Sequence, residues 1–177
     1  MVISLGRDTM KRVCAIFLAA LLLLAPVRSV QSDRPVTRGE FVQDLWELWG
    51  SVPYEDTRIF SDLSHDTPYT TAVCWAHDLG LILGVGEGCF EPERPITREE
   101  AAVFLRRAAA HIGRDTATIS NLAMCNDYAD ISPWADDSLY WATESGLIDW
   151  AEGGLRAPYG TITHAEMESI YYRFDHP

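Results

Sequence analysis

The sequence predicts a mainly α-helical repeat protein, and three observations carry that prediction. First, the pattern Thr-x-x-Glu occurs at Thr37 to Glu40, at Thr97 to Glu100 and at Thr163 to Glu166, spaced 60 and then 66 residues apart. Each copy offers a hydroxyl to an N–H three residues on and a carboxylate that reaches back to the cap's own N–H, the reciprocal capping box. Second, the segments after the caps share apolar columns: Phe41, Ala101 and Met167; Leu45, Leu105 and Tyr171; Leu48, Ala108 and Phe174. That i, i+4, i+7 stripe gives each copy an amphipathic helix with one buried face. Third, a second ordered unit recurs between the caps, so the period belongs to a repeat architecture.

Taken in order, residues 1–29 read as a secretory signal peptide. Met10-Lys11-Arg12 is basic, Val13 to Leu24 is an unbroken apolar run, and small residues follow near Ser29 and Ser32. The run is short for a membrane span, and a buried N-terminal helix, the alternative, lacks amphipathic spacing. Removing these residues subtracts a net +3 and takes the formal charge from −12 to −15, with arginine the only remaining residue that carries formal positive charge. Such an acidic surface speaks against nucleic acid or an anionic membrane as a general partner. No later run is long and apolar enough to span a bilayer.

Pro35 disfavours a helical conformation at Arg34. The first capped helix is predicted from about Arg38 to Trp49 and ends at Gly50-Ser51-Val52-Pro53. Val36, Ile96 and Ile162 stand just before the three caps, opposite Phe41, Ala101 and Met167, as hydrophobic staples. The intervening unit opens at Phe60-Ser61-Asp62, starts a helix at Pro68-Tyr69 and closes it at Gly80. Gly84, Gly86, Gly88, Phe90 and Pro92 then lead to Thr97. The last unit repeats this order with Tyr128-Ala129-Asp130, Pro133-Trp134, Trp141-Ala142, Gly146-Leu147-Ile148, Gly153-Gly154 and Pro158. A polar connector, Gly113 to Asn126, joins the second and third copies. The expectation is five principal helices in one compact domain: a half unit at 30–53, a full unit at 54–112, and a connector plus full unit at 113–177.

The pattern Phe60-x-Asp62, Ala72-Val73-x-Trp75-Ala76, Gly80-Leu81-Ile82-x-Gly84, Phe90-x-Pro92, Ile96-Thr97-Arg98-x-Glu100 resembles one full S-layer homology repeat. Residues 128–174 resemble a second, and residues 35–49 only the latter half of one. The resemblance implies a pseudo-threefold arrangement with the three capped helices as a central bundle and ligand grooves between neighbouring repeats. It implies a non-catalytic module of a secreted bacterial protein, held at the cell wall or cell surface by binding wall secondary polysaccharide, often pyruvylated, or a peptidoglycan-linked glycan. By position it nominates Arg38 and Arg98 as groove residues, with His164 in the third place.

An arginine suits that role because its planar fork of donors matches a carboxylate and keeps its charge. At the first helical turn it also has free N–H groups and the positive dipole end beside it. The alternative is that both are solvated residues after a good cap. His164, neutral at neutral pH, is a weaker clamp. Among the tryptophans, Trp75 and Trp141 recur on an apolar helix face and read as core. Trp150 and Tyr159, in the glycine-rich loop, are the candidates for sugar contact. Asp62 and Asp130 read either as turn or helix-entry caps or as hydrogen-bonding partners of a glycan hydroxyl.

Cys74, Cys89 and Cys125 remain after the leader. Shifted by 66 residues, Cys74 and Cys89 fall on the apolar Tyr140 and Leu155, so a Cys74–Cys89 disulfide is one expectation, and three buried thiols the other. No cofactor or metal is expected: the aspartates near 127–137 lack calcium-loop spacing, and there is no paired Cys/His pattern or phosphate loop. The leading alternative function is a surface protein–protein interaction module, with another surface protein or a second copy docked at the incomplete first repeat. A two-carboxylate wall hydrolase stands third, because the recurring glutamates already serve the capping boxes.

Overall fold

The computed structural model describes residues 33–55, 57, 59–118 and 125–177. The expected signal peptide lies outside the described residues, as does 119–124 of the connector. Among the described residues there are five α-helices: α1 (Arg38–Leu48), α2 (Thr70–Asp78), α3 (Arg98–His111), α4 (Asp136–Glu144) and α5 (His164–Asp175). A 3-10 turn spans Tyr128–Asp130, and the β-structure among these residues is limited to isolated bridges. The chain is mainly α, with three capped helices alternating with two intervening ones.

All three capping boxes form with both halves in place. The Glu40, Glu100 and Glu166 carboxylates accept from the Thr37, Thr97 and Thr163 N–H groups at 2.9, 3.0 and 2.8 Å. Val36, Ile96 and Ile162, the staple residues, are fully buried. Gly80 and Gly146 follow the C-caps of α2 and α4 with φ of 70° and 72°. Glycine reaches that left-handed conformation without a Cβ clash.

The staple residues also bind one another in a cycle. Val36 N donates to Ile162 O at 2.8 Å, Ile162 N to Ile96 O at 3.3 Å, and Ile96 N to Val36 O at 2.9 Å. Around this triangle the orphan N–H groups that open each helix donate to the lead-in of another copy. Arg38 N and Gly39 N reach Arg94 O and Pro92 O at 2.9 and 2.8 Å. Arg98 N and Glu99 N reach Gly160 O and Pro158 O at 2.8 and 3.2 Å, and His164 N reaches Arg34 O at 3.1 Å. The free N–H groups expected beside Arg38 and Arg98 are therefore already occupied by backbone.

Below the triangle the apolar stripes meet. The Phe41 ring on α1 lies 5.1 Å from Tyr171 on α5 and 6.4 Å from Phe104 on α3. The Tyr171 hydroxyl, in the same core, donates to Phe41 O. Helix α2 packs on α1 and α4 on α3. Val42 and Ala102 are buried at one position of those two capped helices, whereas α5 carries the exposed Glu168 there. Asp175 on α5 is exposed where Ala109 on α3 is buried. The third capped helix thus presents charge where the first two present apolar surface.

The Cys74–Cys89 expectation is corrected. No disulfide joins them: Cys74 is buried on α2, while the free Cys89 thiol turns to Ser61 Oγ at 3.5 Å and Glu87 O at 3.8 Å. Cys125 is likewise a free thiol. The two-residue turn at Glu87-Gly88, both at positive φ, and the Gly86–Cys89 bridge aim Cys89 along its own loop.

Candidate functional site

The arginine after each cap is drawn inward by the loop its helix N-terminus binds. Arg38 and Arg98 are 2% and 6% exposed. Arg38 Nε donates to Phe90 O at 2.8 Å, Nη2 reaches Leu83 O at 3.4 Å, and Nη1 pairs with Glu100 Oε1 at 2.8 Å. Its guanidinium lies over the Phe90 and Phe104 rings, 4.5 and 5.3 Å from their centroids. Arg98, 60 residues after Arg38, repeats the pattern with partners 66 residues further on: Nε donates to Arg156 O at 2.8 Å, Nη2 to Asp149 O, and Nη1 sits 3.9 Å from Glu166 Oε1. Burial lowers the pKa of both guanidiniums, opposed chiefly by Glu100 for Arg38 and by Glu166 for Arg98. Each pins a glycine-rich loop to the helix of the preceding copy.

The capping glutamates join this network through a pair of arginines that the sequence reading passed over. Arg34 Nη2 reaches Glu40 Oε1 at 2.5 Å, and Arg94 reaches both Glu100 oxygens at 3.2 and 2.6 Å. Their signal was present as Arg-Pro-x-Thr, 60 residues apart. Burial works against ionisation of Glu100, but the Arg94 hydrogen bond and the Arg38 charge hold its pKa below the usual carboxylate range.

A groove of about 380 Å³ opens above Arg38, between α3 and the loop after α2. Leu83, Gly84 and Val85 line it from the loop, Val103, Phe104 and Arg107 from α3 together with Glu100, whose carboxylate Arg38 and Arg94 hold, and Trp134 from the segment before α4. Trp134 is 59% exposed, and Leu83 and Val85 also face solvent. Burial lowers the Arg107 pKa and no carboxylate offsets it. Among the described residues its guanidinium has no hydrogen-bond or ion-pair partner, so it is a positive charge with donors to spare in a groove that the exposed Trp134 also lines. Such a site suits a small acidic, partly apolar ligand such as a carboxylated sugar. Neither Arg107 nor Trp134 was singled out from sequence. They come from different repeats and meet only because α4 packs on α3.

The second arginine has no such space. The cavity at Arg98 is about 10 Å³, room for one water at most. Arg173 stands there, 66 residues after Arg107, with Nη1 and Nη2 on Asp149 Oδ1 and Oδ2 at 2.8 and 3.0 Å. That hydrogen bond depresses the Asp149 pKa and raises that of Arg173. The third nominee, His164, has Nε2 3.7 Å from Glu40 Oε2.

The remaining candidates are dispersed. Asp62 holds the loop before α3 by accepting from Phe90 N at 2.9 and 3.1 Å and from Glu91 N at 2.7 Å. Its counterpart in the third repeat is Asp127, which accepts from Arg156 N at 3.0 and 3.1 Å and from Ala157 N at 2.7 Å. Burial opposes charge on Asp127, but those N–H groups keep its pKa low. The sequence pairing of Asp62 with Asp130 is therefore corrected by three residues; Asp130 is exposed in the 3-10 turn. Trp150 covers the buried Arg156, its ring 4.4 Å from the guanidinium, with Tyr140 at 4.6 Å. Tyr159 is exposed on its loop. Trp75 is buried and Trp141 packs against the core, as their helix-face recurrence predicts.

Residues 59–102 match the S-layer homology domain. Over 142 residues, 80% of the chain, it is 29% identical to the exoglucanase XynX of Acetivibrio thermocellus, covering 13% of that protein. It is 31% identical over 94 residues, 53% of the chain, to a cellulosome-anchoring protein of the same organism, covering 21% of it. Against the surface-layer 125 kDa protein of Lysinibacillus sphaericus it is 27% identical over 117 residues, 64% of the chain and 10% of that protein. The chain thus spans about a fifth or less of these relatives, and the glucanase name carries no catalytic assignment across so small a share.

Proposed function

We propose, from the premise that this is a cell-surface chain with an S-layer homology domain at residues 59–102, that it attaches to the wall by binding an acidic polysaccharide at the Arg38 groove. In this reading the chain is a non-catalytic anchoring module built as a half repeat at 30–53 and full repeats at 54–112 and 113–177. The hydrogen-bonded triangle of Val36, Ile96 and Ile162 supports a pseudo-threefold arrangement of these units. One observation carries the ligand assignment: a groove of about 380 Å³ holding Arg107 without a carboxylate partner, beside the exposed Trp134.

The roles divide accordingly. Arg38 fixes the Leu83–Val85 wall, Arg107 binds a sugar carboxylate, and Trp134 stacks on the sugar's C–H face. Glu40, Glu100 and Glu166 are engaged by cap N–H groups and by arginines as well. That engagement argues against a hydrolytic pair made from them.

The test is co-sedimentation of the chain with purified bacterial walls, before and after chemical removal of secondary polysaccharide. Binding to intact walls that is lost on stripping, and lost in Arg107→Ala, supports the reading. Binding unchanged by stripping, or no binding to either preparation, refutes it and favours a protein partner at the cell surface.

A further inference from the structure

The two grooves are built on the same frame, and among their differences one bears directly on the second arginine. In both, a buried arginine donates through Nε and Nη2 to carbonyls at matching places in the loop, Phe90 and Leu83 in one, Arg156 and Asp149 in the other. In both, a second arginine follows on the capped helix, Arg107 on α3 and Arg173 on α5. The residue whose carbonyl the buried arginine binds is a leucine in the first groove and an aspartate in the second. That aspartate's side chain turns back onto Arg173 in a two-pronged contact, and Arg173 is held further by Gly146 O at 2.6 Å and Ser169 Oγ at 3.0 Å. The void shrinks from about 380 to about 10 Å³.

We propose that Asp149 is an internal ligand: it supplies from within the chain the carboxylate that the first groove takes from a polysaccharide, so the chain binds one acidic glycan and not two. This rests on the glycan reading of the first groove and adds to it the residue that decides which grooves are open.

Titration calorimetry with a purified, mass-defined acidic oligosaccharide released from the wall polysaccharide tests this directly. Wild type is expected to bind one equivalent. Asp149→Leu, copying the first groove, gains a second and weaker equivalent, weaker because no tryptophan lines that cavity. Asp149→Asn, which keeps the shape and removes the charge, guards against a packing artefact and should move the same way. Leu83→Asp, the reverse graft at an exposed position, places a carboxylate opposite Arg107 and abolishes binding. Two equivalents in wild type, or one in both folded Asp149 variants, overturn the internal-ligand assignment and leave the glycan reading standing. No binding by wild type or any variant overturns both.

Discussion

Replacing Arg38 by alanine should cost the fold far more than its place in a surface groove suggests. The Nε bond to Phe90 O is charge-assisted and buried, worth about 1.5–3 kcal/mol. Stacking between Phe90 and Phe104 in a desolvated site adds up to about 2 kcal/mol. Removing one partner of a buried ion pair costs about 3–5 kcal/mol when the other is orphaned, but Glu100 keeps two bonds from Arg94, so little of that applies. Since these terms overlap, the expected loss is about 3–4 kcal/mol. For a chain of this size that lowers Tm by roughly 8–14 °C. Arg107→Ala, which breaks no internal bond, should stay within about 0.5 kcal/mol. Thermal unfolding followed by far-UV circular dichroism compares the two. An Arg38→Ala Tm within about 3 °C of wild type would refute the pinning role. An Arg107→Ala Tm that falls as far would refute its assignment as a ligand-facing residue.

Asp127→Ala, which strips the acceptor from two loop N–H groups, should destabilise by about 1–3 kcal/mol, and Asp130→Ala by less than about 0.5 kcal/mol; urea unfolding of both variants reverses the assignment if Asp130 proves the costlier. Half-buried Asp44 has its pKa pushed up to about 6 by burial and then by Glu47, Glu40 and Glu168. The folded value exceeds the unfolded one of about 3.9, so the fold is unpenalised below about pH 4 and loses stability as pH rises through about 6. The full shift corresponds to about 3 kcal/mol, reduced by solvent screening to about 1 kcal/mol. Asp44→Asn should therefore raise Tm by about 2–4 °C at pH 7.5 and leave it unchanged at pH 4; equal gains at both would reject the titration. Adding a thiol reductant should not shift the wild-type Tm, whereas a fall of several degrees would restore a disulfide.

The helices and their register were legible because they rest on local chemistry. Thr37, Thr97 and Thr163 cap whatever tertiary context follows, and the staples before them count outward from the same residue. The three-residue misalignment in the third repeat was not legible: aligning Tyr128 on Phe60 put Asp130 on Asp62, when Asp127 holds the loop. Arg156 was not legible as a buried residue either. It occupies the place of Phe90, and its burial depends on Tyr140 and Trp150 stacking over it and on Leu139 O, 3.2 Å from Nη1. Of the candidate site, the buried Arg38 could be read from its position after a cap. Its direction could not, because the carbonyls that draw it inward lie 45 and 52 residues away.

The triangle of Val36, Ile96 and Ile162 also sets an order of folding. Neighbouring helices can pair as soon as both exist, but the edge from Val36 to Ile162 and the Tyr171 bond to Phe41, 130 residues away, must wait for the end of the chain. Contacts that distant carry a loop-closure cost before they return anything. The last helix is thus the clasp of the domain. Until it arrives, Val36 N, Arg34 O and the side of Phe41 that meets Tyr171 lack their partners, while the bonds from α1 to the loop before α3 can already form.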